Sequence, residues 1–212
     1  MKKLLTFLFA LLLMAPMAEV QAQNKALEKA LKKEFKEKKK EFKKGGWKIY
    51  GTSRSEDVVL LKHFDKLAAL DEDGVEIVGI ASNFKSKNVG VQMAFNNAVV
   101  TYAQRAGGQV KGRVASDISG DGTDAEGEFE HFYAAYEREV EKEIKGELEL
   151  SFSVIRDKGD GTFELQSFFI ASESAATKAR IRAYENAMKE SQAAQKYAGK
   201  ISEFIKEGVA GE

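Results

Sequence analysis

The stretch ELELSFSVIRDKGDGTFELQSFFIA, residues Glu147–Ala171, decides the fold. Apolar and polar residues alternate in its first half; the apolar positions are Leu148, Leu150, Phe152 and Val154, and the polar positions are Glu147, Glu149, Ser151 and Ser153. Alternation with a period of two predicts a strand with one face on a core and one face in water. A turn through Asp160 and Gly161 leads into a second, aromatic-rich run, so the stretch predicts a β-hairpin.

On either side of the hairpin, the apolar pattern predicts several helices and one long strand. Helices are expected at 24–46, 55–70, 88–108, 128–144 and 172–207, a strand at 74–82, and a short extended piece at WKIYG. Gly107 and Gly108 are expected to end the third helix. The sequence therefore predicts an α+β fold, in which a small, mostly antiparallel sheet carries long amphipathic helices on one face, with helical N- and C-terminal extensions.

Residues 1–22 have the pattern of a secretory signal peptide. Lys2 and Lys3 precede an apolar run that is too short to span a bilayer, and Ala22 ends a small-residue cleavage pattern. No second apolar run of spanning length follows, so we expect a periplasmic or secreted protein without a transmembrane segment, with association to the outer membrane left open. The expected division of the chain is a signal peptide at 1–22, a basic helical arm at 23–46, an α+β domain at 47–172 and a C-terminal helix at 173–212.

The arm is strongly basic, because residues 23–48 hold eleven Lys against four Glu. Its thin apolar stripe consists of Leu27, Leu31, Phe35 and Phe42. Two interpretations follow: the arm makes peripheral contact with an anionic membrane or an acidic partner, or it is a solvated helix that packs loosely on the body and buries little. Nucleic acid is not expected, since the protein is predicted to be exported and has no interleaved aromatic platform.

The sequence shows no recognisable catalytic motif. The absence of Cys excludes disulfides, thiolate metal sites and Cys nucleophiles. His63 and His131 lie beside core-type aromatic residues, which favours a structural role for both. Glu128 and His131 form one Glu-x-x-His pair, without the second pair that a di-iron bundle needs. No G-x-S-x-G nucleophile elbow occurs, so we expect a protein that is not an enzyme.

The acidic stretch DISGDGTDAEGE, residues 117–128, is the strongest candidate for a metal site. A calcium loop takes its ligands from positions 1, 3, 5, 7 and 12, which here hold Asp117, Ser119, Asp121, Thr123 and Glu128. Against this interpretation, Asp124 replaces the apolar residue that normally braces such a loop, and no second copy is present to pair with it. The stretch is therefore either a weak calcium site or an acidic connection without a cofactor.

Several of these segments together resemble an uncharacterised family of exported proteins from Bacteroidota; they are KKGGWKIYG, LLKHFDKLAAL, VEIVGIAS, VGVQMAFNNAVVTYAQRAGGQV and the hairpin LELSFSVIRDKGDGTFELQSFFIA. Residues 75–171 are more distantly similar to small envelope lipoproteins of the twenty-kilodalton antigen type and to the N-terminal domain of flagellar protein T. The resemblance implies an envelope location and no known catalysis. The chain lacks the Cys that such lipoproteins use for lipid attachment, so a lipid anchor is not implied.

The sequence thus predicts a non-enzymatic exported envelope protein that acts by binding a protein or a surface. The alternative is a module that binds a small molecule or a glycan on the wet face of the sheet, using the aromatic residues Trp47 and Tyr50.

Overall fold

The computed structural model describes residues 29–117 and 125–206; the predicted signal peptide lies outside the described residues. The helices are α1 (29–45), α2 (Glu56–Leu70), α3 (Lys87–Asp117), α4 (Ala125–Ile144), α5 (Glu173–Ala187), α6 (Gln192–Lys196) and α7 (Ala198–Lys206). The strands are β1 (Lys48–Tyr50), β2 (Gly74–Phe84), β3 (Glu149–Asp157) and β4 (Phe163–Ser172). The predicted α+β class is confirmed.

The four strands form one antiparallel sheet in the order β1-β3-β4-β2. The predicted hairpin, β3 and β4, occupies its centre. Gly159 and Gly161 adopt φ angles of 80° and 81° in the turn, a conformation that favours glycine. The carboxylate of Asp160 accepts a hydrogen bond of 2.9 Å from the Thr162 N–H, which fixes the turn that the sequence predicts.

The alternation within β3 is interrupted by a β-bulge at Ser151. Leu150 lies opposite Phe169 and Phe152 lies opposite Phe168, so Ser151 is an extra residue without a partner in β4. A bulge redirects the side chains around it. Ser153, expected on a wet face, is only 4% exposed and shares a 2.8 Å hydrogen bond with Ser167, whereas Leu150 is 49% exposed.

One face of the sheet packs against α3, with α4, α5 and α7 behind it. The helix approaches β2 most closely at Gly79, where an added Cβ would lie 1.9 Å from the carbonyl oxygen of Ala94 and 2.9 Å from Cβ of Ala98. Only glycine allows this separation. Nearby, Asn97 on α3 accepts a 2.9 Å hydrogen bond from the Ile80 N–H.

The other face is covered by α1 and α2, which corrects the expectation of a solvated face. Successive residues of a strand point to opposite faces, so Phe168 belongs to this side while Phe169 contacts the α3 side. Phe42 of α1 is fully buried, with ring centroids 6.1 Å from Phe152 and 5.9 Å from Phe168. The basic helix therefore contributes to the core, contrary to the expectation that it buries little.

The third predicted helix continues past Gly107 and Gly108 and ends at Asp117. Ala106, Val110 and Val114 are buried, and this packing outweighs the low helix propensity of the glycines. Gly107 also allows Glu137 of α4 to lie close, since an added Cβ would be 2.3 Å from Cγ of Glu137.

The single C-terminal helix of the sequence prediction is three helices in the structure. Ser191 interrupts it, because its backbone is extended and its side chain accepts a 3.1 Å hydrogen bond from the Ala194 N–H as the cap of α6. A second break at Tyr197 precedes α7, which packs against α3 and α5. None of the described helices has the length and apolar content needed to cross a membrane.

Candidate functional site

A cleft of about 420 Å³ lies at the end of β1. Four parts of the chain line the cleft. They are the end of β1 with the segment after it (Tyr50, Gly51, Thr52 and Arg54), α2 (Val59 and Lys62), α3 (Val91), and β3 (Leu150, Ser151, Phe152 and Ser153). A volume of this size is within the range of ligand-binding clefts in proteins.

The cleft borders a stretch of β3 that pairs with β4 on one side and, among the described residues, has no strand on the other side. β1 pairs with only three residues of β3, from Ile155 to Ser153, and its last residue, Tyr50, lies opposite Ser153. Gly51 then turns the chain away with a φ angle of 82°. The outward backbone groups of residues 149–152 are therefore free of ladder hydrogen bonds to β1.

Behind the cleft wall, His63 of α2 bonds to β2 and β3. Its ring is fully buried; Nε2 lies 2.5 Å from Oε2 of Glu76 and Nδ1 lies 2.9 Å from Oγ of Ser151. A carboxylate only accepts hydrogen bonds, so neutral His63 carries its proton on Nε2 and leaves the lone pair of Nδ1 toward Ser151. Ser151 is then the donor to Nδ1, and the three side chains form one directed hydrogen-bonded line.

Three aromatic rings hold the imidazole of His63 in place. The ring centroids of Phe152, Phe64 and Phe168 lie 5.0, 5.3 and 6.2 Å from its own, all in edge arrangements. Phe152 and Phe168 are themselves stacked at 4.4 Å. The imidazole thus has a fixed orientation in a buried, aromatic surrounding, while Ser151 lines the cleft.

Two cations at the cleft, Arg54 and Lys62, form no ion pair with any described residue. Two other lysines near α2 are matched: Lys39 lies 2.6 Å from Asp57, and Lys66 pairs with Glu149. The cleft therefore combines apolar walls, an open strand edge and unmatched positive charge.

A second buried polar cluster lies among α3, α4 and α5, away from the cleft. The guanidinium of Arg180 donates to Tyr102, to Glu173 at 2.5 Å and to Thr177 at 2.7 Å. Burial by itself lowers the pKa of Arg180, but the bonds and charges of Glu173 and Tyr102 raise it above its ordinary value. Burial also raises the pKa of Tyr102. Nε of Arg180, Oε2 of Glu173 and the hydroxyl of Tyr136 are buried without a hydrogen-bond partner.

The calcium prediction is not tested by this structure. Ser119, Asp121 and Thr123 lie outside the described residues; Asp117 is the last residue of α3, and Glu128 lies in the first turns of α4. Within 29–117 and 125–206, no group of three or more His, Asp or Glu is arranged to hold a metal ion.

The aromatic pair that the glycan alternative uses is divided between two regions. Trp47 is only 8% exposed and belongs to the α1–α2 core, where the guanidinium of Arg156 lies 4.5 Å from its ring. Tyr50 instead lines the cleft. Of the two, only Tyr50 is placed to contact a ligand there.

The hydrogen bonds of His63 to Ser151 and Glu76 were not predicted from the sequence, whereas the burial of His63 fits the structural role expected for it. His63 is 88 residues from Ser151 and 13 from Glu76, so no local motif joins them. One signal was present: His63 falls on the apolar face of its helix beside Leu60 and Phe64, where a buried imidazole needs polar partners.

Comparison with protein-family models, with curated proteins and with solved structures finds no match to this chain.

Proposed function

We propose that this chain is an exported envelope protein that binds an extended, acidic segment of a partner protein in the cleft at the end of β1. The observation that carries the proposal is the open edge of β3 at residues 149–152, beside two unpaired cations.

An open strand edge is a template for strand addition. A bound segment in extended conformation satisfies the outward N–H and C=O groups of β3, and its alternate side chains face the cleft and the solvent. Leu150, Val59 and Val91 supply apolar wall on the cleft side. The cleft is therefore suited to an alternating sequence rather than to a helix.

Charge selects among extended segments. Arg54 and Lys62 line the cleft, and no described residue forms an ion pair with either, so both attract an acidic segment and repel a basic one. Arg54 also has a planar fork of donors that matches a carboxylate. These two residues are expected to set the preference of the site.

Binding to a membrane surface receives less support. The apolar stripe of α1 faces the sheet, with Phe42 fully buried and Leu31 and Phe35 packed against the same core. Insertion of this stripe into a bilayer would require α1 to leave the body. An interaction of α1 with an anionic surface would therefore be electrostatic, through the lysines on the outer side of the helix.

A small anionic molecule is the second candidate, because the cleft volume of about 420 Å³ suits one. Binding of such a molecule would require the cations Arg54 and Lys62 but no pairing with the edge of β3. Only the extended segment requires hydrogen bonds to the backbone of β3.

The test is fluorescence polarisation with a labelled peptide of alternating Val and Glu. We expect saturable binding, weakened about tenfold or more in Arg54→Glu and Lys62→Glu and unchanged in Lys145→Glu, an exposed lysine outside the cleft. A peptide with N-methyl groups on the backbone edge should not bind. Equal binding of a Val–Lys peptide, or of the N-methylated one, would contradict strand addition.

Export is tested separately by cell fractionation. We expect the mature chain, cleaved after Ala22, in the periplasmic or secreted fraction. Recovery of the uncleaved chain in the cytoplasm alone would contradict the proposed location.

A further inference from the structure

The hydrogen-bonded line Ser151–His63–Glu76 has the order of groups that activates a serine nucleophile. A hydroxyl in a cleft lies 2.9 Å from an imidazole nitrogen, and the other nitrogen of that imidazole lies 2.5 Å from a carboxylate. Such constellations are recognised by geometry and role, whatever the order of the residues in the chain.

We propose that Ser151 is a nucleophile that attacks acyl esters, with His63 as its general base. Glu76 is a positioning residue, which holds the imidazole with its lone pair toward Ser151. This activity goes beyond the proposed peptide binding and does not depend on it, since it requires only that a small ester enter the cleft.

The reaction balances with water as the second substrate. Oγ of Ser151 bonds to the acyl carbon while its proton passes to Nδ1 of His63; the ester C–O bond then breaks, and the alcohol leaves with that proton. Water next attacks the acyl-serine, giving its proton to Nδ1, and the acyl–Oγ bond breaks. Ser151 regains its proton, and a carboxylic acid is released.

The cleft supplies groups that stabilise the negative oxygen formed in each attack. Arg54 and Lys62 line it as cations, and the outward N–H groups of β3 before Ser153 are not paired with β1. Val59, Leu150 and Phe152 give the remaining wall an apolar character. The substrate class is therefore a short apolar acyl group esterified to an alcohol.

The bulge at Ser151 gives this serine its position. As the extra residue between Leu150 and Phe152, it lies outside the regular pairing of β3 with β4 and reaches His63 on α2. Ser153, two residues further along the same cleft wall, is buried and bonded to Ser167 instead. Ser153 is thus a matched control.

The first experiment treats the full mature chain with a fluorophosphonate and locates the adduct by mass spectrometry. We expect one adduct, on Ser151, absent from Ser151→Ala and retained in Ser153→Ala. The labelling rate should fall at acidic pH, because imidazolium has no lone pair at Nδ1. A folded protein, checked by circular dichroism, that leaves Ser151 unlabelled would overturn the proposal.

The second experiment measures hydrolysis of p-nitrophenyl acetate. Ser151→Ala should lower kcat/KM by about 100-fold. Glu76→Gln should lower kcat by about tenfold or more with KM and melting temperature unchanged, as expected for a group that orients the base and not for one that only supports the fold. Equal turnover by wild type and Ser151→Ala would overturn the assignment, whatever the result of the peptide experiment.

Discussion

The two buried polar clusters of this protein differ in how completely their hydrogen bonds are made. In the line through His63, both ring nitrogens have hydrogen-bond partners, and Ser151 at its end lines a cleft. The cluster around Arg180 contains a permanent charge, and atoms of Arg180, Glu173 and Tyr136 are buried without partners. A hydrogen-bonded line that reaches a cleft is suited to chemistry, whereas the charged cluster ties α5 to α3 through the bond from Arg180 to Tyr102.

The largest expected effect on stability comes from truncating Phe42, the ring of α1 that packs on the aromatic residues around His63. Phe42→Ala should lower the free energy of unfolding by about 3–4 kcal/mol, because a fully buried ring that packs on Phe152 and Phe168 leaves a cavity. Chemical denaturation measures it, with Phe35→Ala, at a half-buried position on the same helix, as the milder control. Equal stability of Phe42→Ala and wild type would show that α1 does not cover the sheet in solution.

The next effect compares the clusters directly. Arg180→Met should cost about 3 kcal/mol, because it leaves the Glu173 carboxylate and the Tyr102 hydroxyl without their cation. Restored stability in the double variant Arg180→Met with Glu173→Leu would identify the stranded carboxylate as the cause. A neutral effect of the single variant would mean that the cluster is open to water.

Removal of His63, the central residue of the other cluster, should lower the free energy of unfolding by less. His63→Leu should lower the free energy of unfolding by about 1–2 kcal/mol, since it removes the two hydrogen bonds of the imidazole. Glu76, whose side chain is 30% exposed, and Ser151, which lines the cleft, both reach water once the imidazole is gone. A loss as large as that of Arg180→Met would contradict this contrast.

The smallest effect concerns Glu137, a carboxyl that lies over Gly107 between α3 and α4. Burial, and secondarily the charge of Glu141, raises its pKa. A carboxyl with a raised folded-state pKa adds stability at low pH that is lost as the pH rises through that pKa. Glu137→Gln should therefore raise the melting temperature by about 1 °C at neutral pH and by nothing at acidic pH. A gain that is independent of pH would indicate a packing effect.

Sequence periodicity was sufficient for those parts of the fold that depend on local pattern. The hairpin follows from alternation and an Asp-Gly turn, and α4, at Ala125–Ile144, includes the whole helix predicted at 128–144. The course of α3 through Gly107 and the burial of Phe42 were not predictable in this way, because tertiary contacts outweigh local preference at both positions.

The candidate site was beyond local pattern altogether. Its three members lie on α2, β2 and β3, and the bulge that brings Ser151 to His63 is visible only once β3 is paired with β4. In the alternating stretch, Ser151 has the appearance of an ordinary solvent-facing position. The sequence pattern of β3 alone predicts the strand but not the contact of Ser151 with His63.

The strand order delays formation of the sheet until the central hairpin is present. β1 pairs only with β3 and β2 only with β4, as in Lys48 with Ile155 and Gly74 with Ser172, so the first two strands have no partner in the first half of the chain. Sheet formation waits until the central hairpin has been synthesised, and it then closes two long loops, which makes for slow, high-contact-order folding. A chain that is synthesised from its N-terminus therefore has no sheet until the hairpin of β3 and β4 has been made.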